Sequence, residues 1–145
     1  MNHALFRRAI ESRFLTTFYG LLSPDGTFTY CNAGHNAPLL VSQGTVRRLE
    51  TGGMVLGLFE HASFDEETVR LQPGDVIVAF SDGVTEALNP AGDEYGDDRL
   101  VASVVAYRDK TPQEVLDGVL ADVRVFCGDA TQSDDLTVVM VRYAG

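Results

Sequence analysis

The sequence predicts an α+β sandwich, and three observations carry that prediction. Strand-like segments are grouped, helical patterns are segregated, and one all-apolar run, VIVAF at residues 76–80, reads as a strand buried on both faces. The order is helix, many strands, two helices, strand, which differs from the even alternation of βαβ units. The 145 residues suit one domain, spanning 1–145, with room for a real core. No repeat, low-complexity stretch or linker divides them.

Each element has its own signal. Leu5, Phe6, Ala9, Ile10 and Phe14 stand at helical spacing and predict an amphipathic helix over 4–14. FLTTFYGLL is rich in β-branched and aromatic residues, and the turn Ser23-Pro24-Asp25-Gly26 joins it to TFTYCN. Proline presets one turn dihedral and glycine accepts the left-handed position, so a hairpin is expected. PLLV and TVRRLE, joined through Ser42-Gln43-Gly44, form a second apparent pair. The glycine-rich TGGMVLGLFE precedes another strand candidate, SFDEETVRLQ, and Gln72-Pro73-Gly74-Asp75 turns the chain into VIVAF. After a polar stretch reaching about Gly96, Leu100, Val101, Val104 and Val105 suggest a helix. The next helix is better signed: Thr111 is a good N-cap, Pro112 suits the first turn and Glu114 completes a capping box. Val115, Leu116, Val119, Leu120 and Val123 give it one apolar stripe. The polar loop GDATQSDD leads to a last strand, LTVVMVRY.

Composition removes several classes of function. Apolar residues are 45 % and charged residues 22 % of the chain, ordinary values for a globular protein. Asp and Glu number 21 against 11 Lys and Arg, a net charge of −10 that repels nucleic-acid backbones and anionic lipid. No apolar run approaches the ~20 residues that span a bilayer, and MNHALFRRAIESRF lacks the apolar region of a signal peptide. A cytoplasmic protein is expected. Cys31 and Cys127 form no CxxC and are read as buried free thiols. The histidines are isolated, without zinc spacing. There is no GxSxG elbow, and the Gly52-Gly53 passage matches neither GxGxxG nor a P-loop.

Two places stand out chemically. Asp82 closes VIVAF, with Gly83 letting the backbone turn sharply after it, and Asp134 and Asp135 open the last strand. If those strands are antiparallel neighbours, the end of one lies beside the start of the other and the carboxylates converge. Hard oxygen donors on a rigid sheet edge are what Mg²⁺ or Mn²⁺ takes, and a pair of such ions activates water and clamps a phosphoryl group. The bland alternative stands beside it: SDG is a common turn, and an aspartate before a strand often bonds its own backbone. His35, in NAGHNAP, is either a phosphate-binding or proton-donating group or a loop histidine that only secures its turn. Arg7, Arg8, Arg13, Arg47 and Arg48 could hold phosphate, though Arg47-Arg48 reads first as an exposed hairpin strand. Asp93, Glu94, Asp97 and Asp98 read as a solvated surface near a helix start.

Taken in order, FLTTFYGLLSPDGTFTYCNAGHNAPLLV, GMVLGLF, LQPGDVIVAFSDGVTEALNPAGDEYGDDRL and SDDLTVVMVRY resemble the SpoIIE/RsbU-like branch of the metal-dependent protein serine/threonine phosphatases, across nearly the whole chain. The resemblance implies an α-β-β-α sandwich of two antiparallel sheets flanked by helices. It implies hydrolysis of phosphoserine or phosphothreonine on a protein by water held between two Mn²⁺ or Mg²⁺ ions. The family's late metal-binding aspartates fall on Asp82 and Asp134, which would be the catalytic ligands, with Gly83 at the metal and Asp135 and His35 lining the pocket. The usual substrates implied are phosphoserine-bearing anti-sigma antagonist proteins of bacteria.

The family opens with a D-x-x-G-H-G-like stretch that supplies further ligands, and this sequence contains none. The chain is therefore expected to be the C-terminal portion of a phosphatase domain, N-terminally incomplete, carrying half of a two-metal site and little activity by itself. Unpaired sheet edges and bare apolar surface would then favour a homodimer or a partner chain. The alternative function is a non-catalytic binding module that kept the fold. A metal-free structural domain with chance SDG and SDD motifs fits the ordered match poorly.

Overall fold

The structure is a computed structural model and describes residues 2, 3, 6, 14–132 and 134–145. Its strands are β1 (Thr17–Leu22), β2 (Thr27–Ala33), β3 (Leu39–Ser42), β4 (Thr45–Arg48), β5 (Gly52–Gly53), β6 (Glu67–Arg70), β7 (Val76–Phe80) and β8 (Val138–Arg142). Between β7 and β8 lie helices α1 (Asp82–Thr85), α2 (Gly96–Ala106) and α3 (Pro112–Cys127). One sheet runs β1-β2-β5 with β6 also paired to β2, and the other runs β4-β3-β7-β8. Every pairing is antiparallel except β2 with β5. This is the α+β architecture the sequence predicts. The helix expected over 4–14, and with it Arg7, Arg8 and Arg13, lies largely outside the described residues.

Alternation along β7 divides the core in two. Val76, Val78 and Phe80 face the helices and pack with Leu39, Leu100, Val104, Val115, Val119 and Val123. Ile77 faces the other way and joins Phe28, Tyr30, Leu40, Leu49, Val69 and Leu71 between the sheets. A strand that feeds both layers must be apolar at every position, which is why VIVAF shows no polar alternation. Among the described residues the inter-sheet layer is open at one side. Val139 and Val141, on end strand β8, keep 53 % and 43 % of their surface exposed, and a groove of about 510 Å³ separates them from Phe18 and Leu22 on β1.

Local chemistry accounts for the hairpins and caps. The β1–β2 turn closes with the Gly26 N–H donating to the Ser23 carbonyl (3.0 Å), and Gly26 takes the left-handed φ of 87°. In the β3–β4 turn Gln43 and Gly44 both have positive φ, 48° and 83°, matching the strand twist of a two-residue hairpin. The capping box at α3 forms as expected: the Glu114 N–H donates to Thr111 Oγ1 (3.3 Å) and the Thr111 N–H to Glu114 Oε2 (2.9 Å). Three expectations need correction. The SFDEETVRLQ segment forms a ladder only over Glu67–Arg70, with one isolated bridge at Phe64↔Gly53, because β5 takes the same edge of β2 from Asn32 onward. The polar stretch after Phe80 contains the short helix α1. Cys31 and Cys127 are free but half-buried rather than buried: Cys127 packs at the edge of the helical core, and Cys31 alternates with buried Tyr30 and Asn32 along β2.

The two arginines of β4 are engaged instead of merely solvated. Arg48 pairs with Asp97 in the first turn of α2 (2.9 Å), and Arg47 pairs with Glu67 on the opposite sheet. Glu67 also accepts from the Tyr30 hydroxyl and from Thr51 Oγ1 (2.8 Å). These donors, Tyr30 foremost and then Arg47 and Thr51, hold the Glu67 carboxyl down from 4.5 to about 2. A carboxylate bound better in the folded chain stabilises it fully above the unfolded value near 4.5, and that contribution fades as pH falls toward 2. Glu67→Gln is therefore expected to lower the urea midpoint at pH 7, with the gap from the wild type closing between pH 4.5 and 2. A gap independent of pH across that window contradicts the latch.

Candidate functional site

The site is set by how β7 and β8 end. Their register runs from Val76↔Arg142 to Phe80↔Val138, so the residues after Phe80 face those before Val138. Ser81 continues the pairing beyond the strands. Its N–H donates to the Thr137 carbonyl (3.0 Å), its Oγ accepts from the Thr137 N–H (3.1 Å), and the same hydroxyl donates to the Asp135 carbonyl (2.9 Å). One serine thus staples the Asp82 turn to the Asp134–Asp135 loop.

Gly83 shows how close the two segments come. A Cβ built on it would lie 2.5 Å from the Asp135 carbonyl oxygen and 3.3 Å from Asp134 Cβ. No side chain larger than hydrogen fits that buried contact without moving backbone. Asp82, Asp134 and Asp135 are exposed on the rim around it. Asp82 Oδ1 accepts from the Gly83 N–H (3.0 Å), and Asp134 Oδ1 accepts from the Asp135 N–H (2.7 Å). Among the described residues neither carboxylate pairs with a basic side chain within 4 Å. Each aspartate thus bonds the N–H of the residue after it through Oδ1, as the turn alternative expects.

As donors these groups suit a hard divalent cation in kind, since they are charged oxygens on a fixed backbone. They supply only part of a coordination sphere, because among the described residues no three His, Cys, Asp or Glu side chains gather to hold an ion. Asp82 and Asp134 would be its protein carboxylates, and Gly83 contributes closeness of approach.

His35 is placed elsewhere. Its N–H donates to Asn32 Oδ1 (2.8 Å), and Asn32 Nδ2 donates back to the His35 carbonyl (2.9 Å), which fixes the NAGH turn. The half-buried residue lines the inter-sheet groove with Ile77, Ala79 and Val139. Gly83 and Asp134 line a separate cavity of about 180 Å³, against the end of α3, with Val123, Arg124, Cys127 and Gln132. The two cavities share no lining residue, because β2 ends between the sheets whereas α1 and the Asp134 loop face the helices. Gly83, next to Asp82, is brought against Asp134 and Asp135, and it shares a cavity with Asp134; Asp82, Asp135 and His35 do not line that cavity. Ser81, Gln132 and Arg124 escaped the sequence reading. Ser81 and Gln132 lie within two residues of the aspartates, so their polar side chains were the available signal. Gln132 Nε2 donates to the Asp134 carbonyl (2.7 Å) and steadies that loop.

Comparisons with known proteins identify the family and the fold. The family model described as Stage II sporulation protein E (SpoIIE) matches residues 1–144. Phosphoserine phosphatase RsbU of Bacillus subtilis is 31 % identical over 145 residues, covering 98 % of this chain and 43 % of RsbU. Protein IcfG of Synechocystis sp. is 30 % identical over 131 residues, 88 % of this chain and 20 % of IcfG. The chain thus spans less than half the length of these curated relatives. Among solved structures, the phosphatase domain of SpoIIE from Bacillus subtilis superposes with a TM-score of 0.70 at 20 % identity, over 98 % of this chain and 63 % of that one, which shows a shared fold. The RsbU and RsbW domains of Rv1364c from Mycobacterium tuberculosis match with a TM-score of 0.67 at 27 % identity, over 89 % of this chain and 36 % of that one.

Gly83→Ala tests the contact on which the rim depends. The added methyl meets backbone, so the loops must separate, at a cost of about 1–3 kcal/mol typical of overpacking. Urea unfolding is expected to show that loss. Unchanged stability would mean that the two loops are not in contact.

Proposed function

The chain belongs to the SpoIIE family, and we propose that it carries part of the ion-binding site of a Mn²⁺- or Mg²⁺-dependent protein serine/threonine phosphatase. In this reading Asp82 and Asp134 are the catalytic metal ligands, with Gly83 between them and Asp135 beside them. The observation that carries it is the Ser81 staple, which fixes two exposed carboxylates, far apart in sequence, at one rim. When bound, a divalent ion of this kind supplies Lewis-acid polarisation and a nucleophilic water at neutral pH. The chain's own part is to hold hard donors without a competing cation and to keep the Gly83 approach free of side chain.

The substrate in this proposal is a phosphoserine- or phosphothreonine-bearing bacterial regulatory protein of the anti-sigma antagonist type. Support comes from the likeness to a protein named as a phosphoserine phosphatase. Self-association through the outer edges of β1 and β8 belongs to the same proposal, since each has a strand neighbour on one side only among the described residues. No described helix is long and apolar enough to cross a membrane.

A second reading, a non-catalytic binding module of the same fold, is favoured by one observation: no three donors converge among the described residues. Phosphate release from a phosphoserine peptide, with Mn²⁺ and with EDTA, separates the two. We expect EDTA to abolish turnover and Asp82→Asn or Asp134→Asn each to lower it roughly 10²-fold or more. Turnover that survives EDTA, or is undiminished in Asp82→Asn, rejects the assignment. A folded protein that neither binds Mn²⁺ in calorimetric titration nor releases phosphate supports the binding module.

A further inference from the structure

The cavity beside Gly83 and Asp134 has one basic side chain on its wall. Arg124 stands in the last turn of α3 and lines this space with Thr131 and Gln132, over a floor that includes Val123 and Leu136. In a chain with 21 acidic and 11 basic residues, arginines find partners easily. Arg47 has Glu67, Arg48 has Asp97 and Arg70 has Asp25. Arg124 is exposed, and among the described residues no carboxylate lies within 4 Å of it. Its placement near the helix C-terminus is favourable for any cation, but that leaves open why an unpaired guanidinium borders the carboxylate rim.

Electrostatics supplies a reason. Asp82, Asp134 and Asp135 make the rim strongly negative, and a phosphate dianion approaching it is repelled. A guanidinium stays charged at every working pH, and its planar fork matches two phosphate oxygens. We infer that Arg124 is the phosphate-facing cation of this site, receiving the phosphoryl oxygens of the substrate, and afterwards of inorganic phosphate, at the mouth of the cavity beside Asp134. This inference rests on the phosphatase reading and adds a substrate-binding residue to it.

Inorganic phosphate, titrated into the Mg²⁺-containing protein, is the probe. Arginine Nε–H signals and the amides of residues 128–134 are followed by NMR in the wild type, Arg124→Ala and Arg124→Lys. The Arg124 signal is expected to shift to saturation. The phosphate Kd is expected to weaken about tenfold in Arg124→Ala, with Arg124→Lys between, because lysine keeps the charge and loses the fork. Phosphopeptide turnover should show the same order as a rise in KM. Phosphate binding undiminished in Arg124→Ala, or an equal response to sodium acetate at matched ionic strength, overturns the inference and leaves the phosphatase reading standing. Failure of that reading is visible separately, as turnover undiminished in Asp82→Asn.

Discussion

Everything at the candidate site depends on the antiparallel pairing of β7 with β8. The ladder ends at Phe80↔Val138, and Ser81 extends it by three hydrogen bonds into the loops beyond. Sheet register is fixed wherever faces are buried, since a slip of one residue would turn every side chain to the wrong layer. Here both faces of β7 are buried, so the register has no freedom. The positions of Asp82 and Asp134 are therefore inherited from core packing, without any attraction between like charges.

The same strand explains the division of the molecule. Val76, Val78 and Phe80 bind the helical layer to the second sheet, while Ile77 binds the second sheet to the first. Polar links reinforce both joints: Arg48 with Asp97 ties β4 to α2, and Glu67 with Tyr30, Thr51 and Arg47 ties β6 and β2 to β4. Packing is complete on the β3 side and open on the β1 and β8 side, where valines stay exposed beside the groove. Such a margin is stable against solvent only to the extent that the rest of the layer carries it.

Charge is distributed unevenly around the site. The rim is built from exposed carboxylates, of which Asp82 and Asp134 each bond the next N–H through one oxygen. Next to them, Arg124 keeps its charge without a partner among the described residues. In the proposed reading, the acidic rim takes the cation and the neighbouring Arg124 the anion.

Much of the fold was legible in the sequence because local rules carried it. SPDG gave a hairpin, Ser42-Gln43-Gly44 gave another, Thr111 with Pro112 and Glu114 began α3, and VIVAF announced a doubly buried strand. Strand ends were misjudged where pairing partners, not composition, set the length, as in β6. The aspartates were legible as candidates by their places at strand ends, and their convergence followed if those strands paired. What only the tertiary structure decided is which groups share a space. His35 and Asp134 both follow or precede strands, yet the sheets carry them into different cavities, whereas Arg124, on a helix with no motif, arrives beside Asp134. Local sequence encodes dihedral preference and burial pattern within a few residues, but proximity across the chain arises from the packing of whole layers, which no single segment contains.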